Sequence, residues 1–97
     1  MEPTKKMKLL LEQMAAIDQM ERGKLCQMTG RAHYNHQTWS NGRNDVRYVP
    51  ANELPALQEA IDGYRLFTQL AEQYADEVIR LTRRQRERKK KRKEIQK

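Results

Sequence analysis

The sequence predicts a small α+β protein with an N-terminal helix, a three-stranded antiparallel meander and a long C-terminal helix that carries a basic extension. Apolar residues recur at helical spacing over residues 4–21 and again over residues 52–82. Between them, residues 24–50 form short segments separated by turn residues, which is the pattern of a meander. The chain of 97 residues suffices for one domain, predicted over residues 1–82, with residues 83–97 as a basic helical extension or a disordered tail.

The first helix is predicted over residues 4–21 because its apolar residues follow three- and four-residue steps and form one stripe. Thr4 is suited to cap the start of this helix, and Gly23 is suited to stop it. The residues of the stripe are Met7, Leu10, Leu11, Met14, Ile17 and Met20.

The meander is predicted from three short segments rich in strand-forming residues. They are Leu25–Met28, Ala32–Ser40 and Val46–Val49. Asn41 and Gly42 lie between the second and the third, and both tolerate the positive φ angles of a tight hairpin turn. Pro50 ends the third strand because proline cannot donate to a ladder.

The second helix is predicted from apolar residues that follow a heptad repeat for more than three heptads. Asn52 is suited to cap it, and Pro55 is tolerated because it lies near the helix start. Gly63 is the one weak position, since glycine costs about 1 kcal/mol relative to alanine inside a helix. The a positions are Leu57, Tyr64, Ala71 and Val78, and the d positions are Ala60, Phe67, Tyr74 and Leu81.

A homodimer through the long helix is predicted from the unequal lengths of the two helices. Because the first helix is the shorter, the part of the second beyond residue 70 has few partners within one chain. Pairing of two long helices would cover Leu70, Tyr74, Val78 and Leu81. A stable monomer in sedimentation at micromolar concentration would contradict this hypothesis.

Residues 83–97 carry nearly all the net charge. They hold ten of the 20 basic side chains and two of the 13 acidic ones, a balance of +8, and the other residues balance to −1. This asymmetry predicts a polyanionic partner, and nucleic acid first, because each neutralised phosphate releases condensed counterions. The alternatives are a solvated end that only aids solubility and, less favoured for want of apolar residues, an anionic membrane. The predicted contacts are Arg83, Arg84, Arg86, Arg88, Lys89, Lys90, Lys91, Arg92 and Lys93.

The meander supplies the residues that are predicted to recognise the nucleic acid. Side chains alternate along a strand, so we expect one face to cover the helices through Tyr34, with Tyr48 and Leu25 as its partners. The other face is expected to present amides and rings, with Trp39 beside Asn35 and Gln37, flanked by arginines. Arginine and amide side chains match base edges in the major groove. A polar surface sheet without a ligand is an equal alternative. The predicted recognition residues are Arg31, Asn35, Gln37, Arg43, Asn44 and Arg47.

Side chains suited to metal binding or catalysis are few. Cys26, His33 and His36 are the only soft ligands, and the two histidines fall on opposite faces of an extended strand, so no metal site is predicted. No cofactor site, activated nucleophile or paired-carboxylate site is predicted either, and we expect a non-enzymatic protein. Trp39 and Tyr48 are interpreted as core or sheet-face packing residues rather than as stacking platforms for bases.

One set of residues extends from the predicted hairpin into the long helix. It comprises Tyr34-Asn35-His36-Gln37-Thr38-Trp39, Gly42-Arg43-Asn44, Arg47-Tyr48-Val49-Pro50, Glu53, Pro55, Gln58-Glu59-Ala60-Ile61, Tyr64 and Phe67. Over roughly residues 20–82 the chain thereby resembles a family of short bacterial and archaeal proteins, often encoded near transposase genes. The resemblance implies the hairpin-to-helix register and a link to mobile elements, but no activity or active site. In fold alone, the predicted sheet and helix are similar to the arm-binding domains of tyrosine recombinases, which differ in the preceding helix and in the length of the second.

These observations predict a small nucleic-acid-binding protein in which the basic end supplies affinity and the meander supplies recognition, with DNA favoured over RNA. The alternative is an adaptor or inhibitor whose basic end engages an acidic protein surface. The single cysteine fits a reducing compartment, and no apolar run reaches the length of a membrane span. We therefore expect a cytoplasmic location in a prokaryote, associated with the nucleoid or with ribonucleoprotein.

Overall fold

The computed structural model of the protein describes residues 2–27 and 33–95, with residues 91–95 described by their backbone alone. Its elements are α1 (Lys5–Ala15), β1 (Lys24–Gln27), β2 (Tyr34–Ser40), β3 (Arg43–Val49) and α2 (Leu54–Ile95). The three strands form one antiparallel sheet in the order β1-β2-β3. The predicted α+β fold, with its meander between a short and a long helix, is confirmed.

The chain divides into two compact units. The helical unit contains the residues up to Ala16 together with those from Thr68 onward, and the sheet unit contains Ile17–Phe67. Helix α2 therefore contributes its first part to the sheet unit and its second part to the helical unit. No helix in the described part of the chain combines the length and the apolar character needed to cross a membrane.

Helix α1 starts as predicted but ends earlier. The Thr4 hydroxyl accepts a hydrogen bond from the Met7 amide at 3.2 Å, and the Met7 sulfur accepts one from the Thr4 amide at 3.4 Å. This reciprocal pair caps the first turn, with methionine in the position that Glu or Gln usually takes. The helix ends at Ala15, so the prediction that it reaches residue 21 is wrong.

The residues that follow α1 form an irregular connecting segment, residues 17–22, which binds to the rest of the sheet unit. The Glu21 amide donates to the Ala60 carbonyl at 2.9 Å, and His36 Nε2 donates to the Arg22 carbonyl at 2.6 Å. These bonds give partners to backbone polar groups of a segment that has no helical bonds of its own. The apolar spacing of the segment is therefore not a sign of helix here.

The helical unit joins the cap of α1 to a buried carboxylate of α2. The Thr4 hydroxyl also donates to Glu77 Oε2 at 3.3 Å, and Arg80 binds Glu77 Oε1 at 2.7 Å. Glu77 is only 6% exposed. The hydrogen bond from Arg80 lowers the pKa of Glu77 against the opposing effect of burial, and Thr4 and Lys6 lower it further.

The buried side chains of the helical unit concern the predicted homodimer, because they show what packs on the second part of α2. Its buried apolar side chains are Met7 and Leu10 of α1 and Leu70 of α2. Helix α1 thus gives the second part of α2 a partner within the chain, which the sequence argument lacked. The homodimer stays a prediction, and sedimentation remains its test.

In the sheet unit, the hairpin turn has the predicted conformation. Asn41 and Gly42 have φ angles of 52° and 76°, and the strands pair without interruption from Ser40↔Arg43 onward. Strand β3 is consequently longer than predicted, because it begins at Arg43 directly after the turn. Helix α2 begins at Leu54, two residues beyond the Asn52 that was predicted to cap it.

Gly63 packs against the connecting segment. A Cβ atom at this position would collide with the carbonyl oxygen of Gln19 and would lie 3.3 Å from a methyl carbon of Ile17. The glycine therefore permits a close approach of two backbones within the sheet unit. Its interpretation as merely a weak position of α2 is wrong, because replacement by alanine would require the connecting segment to move.

Candidate nucleic-acid interface

The strand register divides the sheet into two faces. Residues paired across antiparallel strands project to the same side, and successive residues of a strand alternate. The inner face, which includes the buried His36 and Val49, consists of Leu25, Gln27, Tyr34, His36, Thr38, Ser40, Arg43, Asp45, Arg47 and Val49. The outer face consists of Lys24, Cys26, Asn35, Gln37, Trp39, Asn44, Val46 and Tyr48.

This division separates the predicted recognition residues. Asn35, Gln37 and Asn44 share the outer face, but Arg43 and Arg47 project from the inner one. The expected surface of amides flanked by these two arginines is therefore not formed, and that prediction is wrong. Arg31 lies outside the described residues.

Arg47 lies among side chains of opposite charge. It pairs with His36 across the strands and lines a cleft of about 410 Å³ with Glu21 and Asp45. Two carboxylates beside one guanidinium make this cleft a poor receptor for phosphate, because a bound anion would be repelled by both acidic groups. We assign no nucleic-acid contact to it.

The outer face carries the largest exposed aromatic side chains of the sheet. Trp39 is 72% exposed and Tyr48 is 55% exposed, and Val46 lies between them along the face with similar exposure. The interpretation of Trp39 and Tyr48 as packing residues is thus wrong, as is the pairing of Tyr48 with Tyr34. The sequence placed Asn35, Gln37 and Trp39 on one face correctly, but it placed Tyr48 on the wrong one. The reason is that β3 was positioned without the two-residue turn, which determines which residues pair across the strands.

The Tyr48 ring makes an aromatic contact with His33. His33 meets it edge-on, with ring centroids 5.3 Å apart and an interplanar angle of 68°. The Tyr48 hydroxyl lies 3.4 Å from His33 Nδ1, at the long end of hydrogen-bonding range. The contact restricts the ring while leaving more than half of the side chain in solvent.

A second aromatic contact of the sheet unit involves an arginine that was not predicted to have a role. The Arg22 guanidinium lies 5.6 Å from the centre of the Tyr64 ring, which is within cation–π range. The interaction with Tyr64 also raises the pKa of Arg22, which is charged at any physiological pH. This arginine attaches the connecting segment to α2 and is therefore structural.

In the helical unit, the basic segment, Arg83–Lys93, belongs to the last part of α2. Its residues up to Lys90 are exposed, and the side chains of Lys91, Arg92 and Lys93 lie outside the described part. Successive helix residues are separated by about 100°, so the cations surround the helix instead of forming one stripe. Positive charge at a helix C-terminus is also favoured by the helix dipole.

Helix α2 reverses its charge along its length. Residues 54–82 contain five acidic and two basic side chains, whereas the basic segment contains nine basic side chains and Glu87. The helix is continuous through this change. The net positive charge of α2 therefore lies at one end of a regular element, which favours a polyanion that contacts this end.

Among the described residues, no group of three or more His, Cys, Asp or Glu side chains is placed to hold a metal ion. No protein-family model, curated protein or solved structure matches the chain. The family resemblance noted in the sequence therefore stays an interpretation of the residues that carry it.

Proposed function

We propose that the protein binds nucleic acid, and that the basic segment of α2 supplies most of the affinity. The observation that carries this proposal is the concentration of nine cationic side chains within eleven residues at the end of one continuous helix. Lys and Arg side chains bind phosphates regardless of base sequence, and their binding is driven by counterion release. The proposal does not require an enzymatic activity.

The basic segment alone does not distinguish DNA from RNA. Backbone phosphates are common to both, and charges on all sides of a helix do not match one groove geometry. DNA remains the first choice from the sequence, with RNA as the second. Discrimination has to come from the sheet unit, where amide and aromatic side chains share the outer face.

The salt dependence of binding tests the proposal. Arg86→Gln combined with Arg88→Gln removes two exposed cations from the basic segment. We expect weaker binding to random duplex DNA, and a slope of log K against log salt that is smaller by about 1.8, since each phosphate contact contributes about 0.9. Fluorescence anisotropy of labelled DNA over a salt series measures both quantities.

A matched control removes the same charge elsewhere. Lys5→Gln combined with Lys8→Gln takes two exposed cations from α1 and leaves the basic segment intact. An equal loss of slope in both double variants would show that only net charge matters. Absence of binding by the unaltered protein at low salt would overturn the proposal and favour an adaptor that engages an acidic protein surface.

A further inference from the structure

We infer that the outer face of the sheet binds unpaired nucleotides, with Trp39 as the platform on which a base stacks. The inference rests on the proposed nucleic-acid binding and deepens it, because it names the form of nucleic acid that the sheet unit recognises. It starts from the exposure of Trp39, a residue that is 72% exposed at the end of β2 nearest the hairpin turn.

Polar groups surround this tryptophan in the arrangement that a nucleotide requires. Trp39 lines a cleft of about 520 Å³ together with Gly23, Lys24, Gln37 and Asn44. The side-chain amides of Gln37 and Asn44 each offer a donor and an acceptor, which can pair with the edge of a base. Lys24 supplies a cation for the adjoining phosphate. One cleft thus combines a stacking surface, base-edge partners and a phosphate partner.

The charge of the face supports an anionic ligand. Of the described strand residues, none on the outer face is acidic, whereas the inner face carries Asp45 beside its arginines. A polyanion can therefore approach the outer face without repulsion from the strands. The same approach to the inner face would meet Glu21 and Asp45.

The aromatic surface favours unpaired over paired bases. In a duplex the faces of the bases are stacked on one another, so a side chain that projects from a sheet cannot reach them without unstacking a step. In a single strand the faces are accessible, and stacking on an aromatic side chain is a main source of affinity. Arg43 and Arg47, two of the arginines expected to read a duplex groove, lie on the inner face.

Tyr48 gives the face a second platform. It lies four residues from Asn44 along β3, which corresponds to about 14 Å at the rise of an antiparallel strand. Val46 and Gln37, which pair across the strands, lie between the two rings. The contact with His33 restricts Tyr48, which reduces the entropy lost when a base stacks on it. A single strand that follows the strand direction would meet both rings.

The composition of the chain permits a direct test, because Trp39 is its only tryptophan. Tryptophan emission therefore reports on the proposed site alone. The full chain is titrated with labelled oligothymidylate, and binding is followed by anisotropy of the label and by emission of Trp39. We expect quenching at saturation by the single strand, and little quenching by a hairpin duplex of the same length.

Variants at this position separate stacking from charge. Trp39→Ala is expected to weaken binding to oligothymidylate about tenfold, as stacking side chains typically do, while binding to the duplex is unchanged. Trp39→Phe, which keeps an aromatic ring, is expected to retain most of the affinity. Leu66→Ala is the matched control, since it removes another exposed apolar side chain of the sheet unit, 47% accessible, outside the outer face.

Three outcomes would overturn the inference. If the label reports binding but Trp39 is not quenched and Trp39→Ala binds like the unaltered protein, the outer face is not the site, and the proposed function stands. If neither nucleic acid binds at low salt, the proposed function fails together with the inference. If Trp39→Ala instead abolishes self-association in sedimentation without affecting oligothymidylate, the face is a protein interface.

Discussion

The helical unit and the sheet unit present their surfaces by different physical means. The helical unit places cations on all sides of a regular helix, where the identity and order of the side chains matter less than their number. The sheet unit places a few polar and aromatic side chains on one face, where a shift of one residue would move each of them to the other side. The first arrangement suits affinity, and the second suits discrimination.

The two units also depend on different interactions for their stability. The sheet unit relies on a backbone contact that tolerates no side chain, between Gly63 and the connecting segment. The helical unit relies on a capped helix start and a partly buried ion pair that share the Glu77 carboxylate. Substitutions at these points should therefore change the free energy of unfolding by different amounts and with a different dependence on pH.

The largest effect on stability is expected at Gly63. Gly63→Ala should lower the free energy of unfolding by about 2 kcal/mol, because the added methyl group overpacks the contact with Gln19. Urea unfolding followed by circular dichroism measures the change. Helix propensity alone predicts the opposite sign, a gain of about 1 kcal/mol, so a stabilised variant would show that the close contact is unimportant.

The control for this prediction is Ala75→Gly, at an exposed position of α2 in the helical unit. At this exposed position only helix propensity acts, so the free energy of unfolding is expected to fall by about 1 kcal/mol. If alanine is favoured at both positions by the same amount, the distinction between the two units is contradicted.

A smaller effect is expected at the start of α1. Thr4→Ala removes the hydroxyl that caps the Met7 amide, and a loss of about 1 kcal/mol in the free energy of unfolding is expected. Thr4→Ser keeps a hydroxyl at the same position and should retain most of the stability. Urea midpoints of the unaltered protein and the two variants test this expectation. Equal midpoints for the serine and alanine variants would contradict the role of the cap.

The smallest effect concerns the response to acid. Because the pKa of Glu77 is lower in the folded chain than in the unfolded one, its ionised form stabilises the fold above the ordinary pKa of 4.5. That contribution is lost as the pH falls through the folded pKa. Glu77→Gln cannot ionise, so its urea midpoint should fall less than that of the unaltered protein between neutral pH and about pH 3. If the urea midpoints of both proteins fall by the same amount, the ionisation of Glu77 does not contribute to the acid sensitivity of the fold.

Local patterns predicted most of the elements. The helical spacing of Met7 and Leu10, the capping residue Thr4 and the turn at Asn41 led to the right fold because each acts through neighbouring residues. The same periodicity failed beyond Ala15, where the Glu21 amide bonds to the α2 backbone and the Arg22 carbonyl bonds to the His36 side chain of the sheet. Such bonds join residues far apart in the chain and leave no periodic signal.

The candidate site was predicted in part. The basic segment was evident because charge can be counted without a structure. The faces of the sheet were assigned wrongly for Tyr48, Arg43 and Arg47, although the two-residue turn contained the register. The interpretation of Trp39 as a packing residue failed because a tryptophan on a strand is equally compatible with a buried and an open face.

The residues alone were enough to predict the order and kind of the elements, the turn and the concentration of charge at one end. These properties depend on residue types and on contacts close along the chain. Three further features follow from packing: Gly63 is required, α1 stops at Ala15, and Trp39 faces solvent beside Lys24. The reason is physical: each of these depends on which distant segments come into contact, and that is settled when the chain packs.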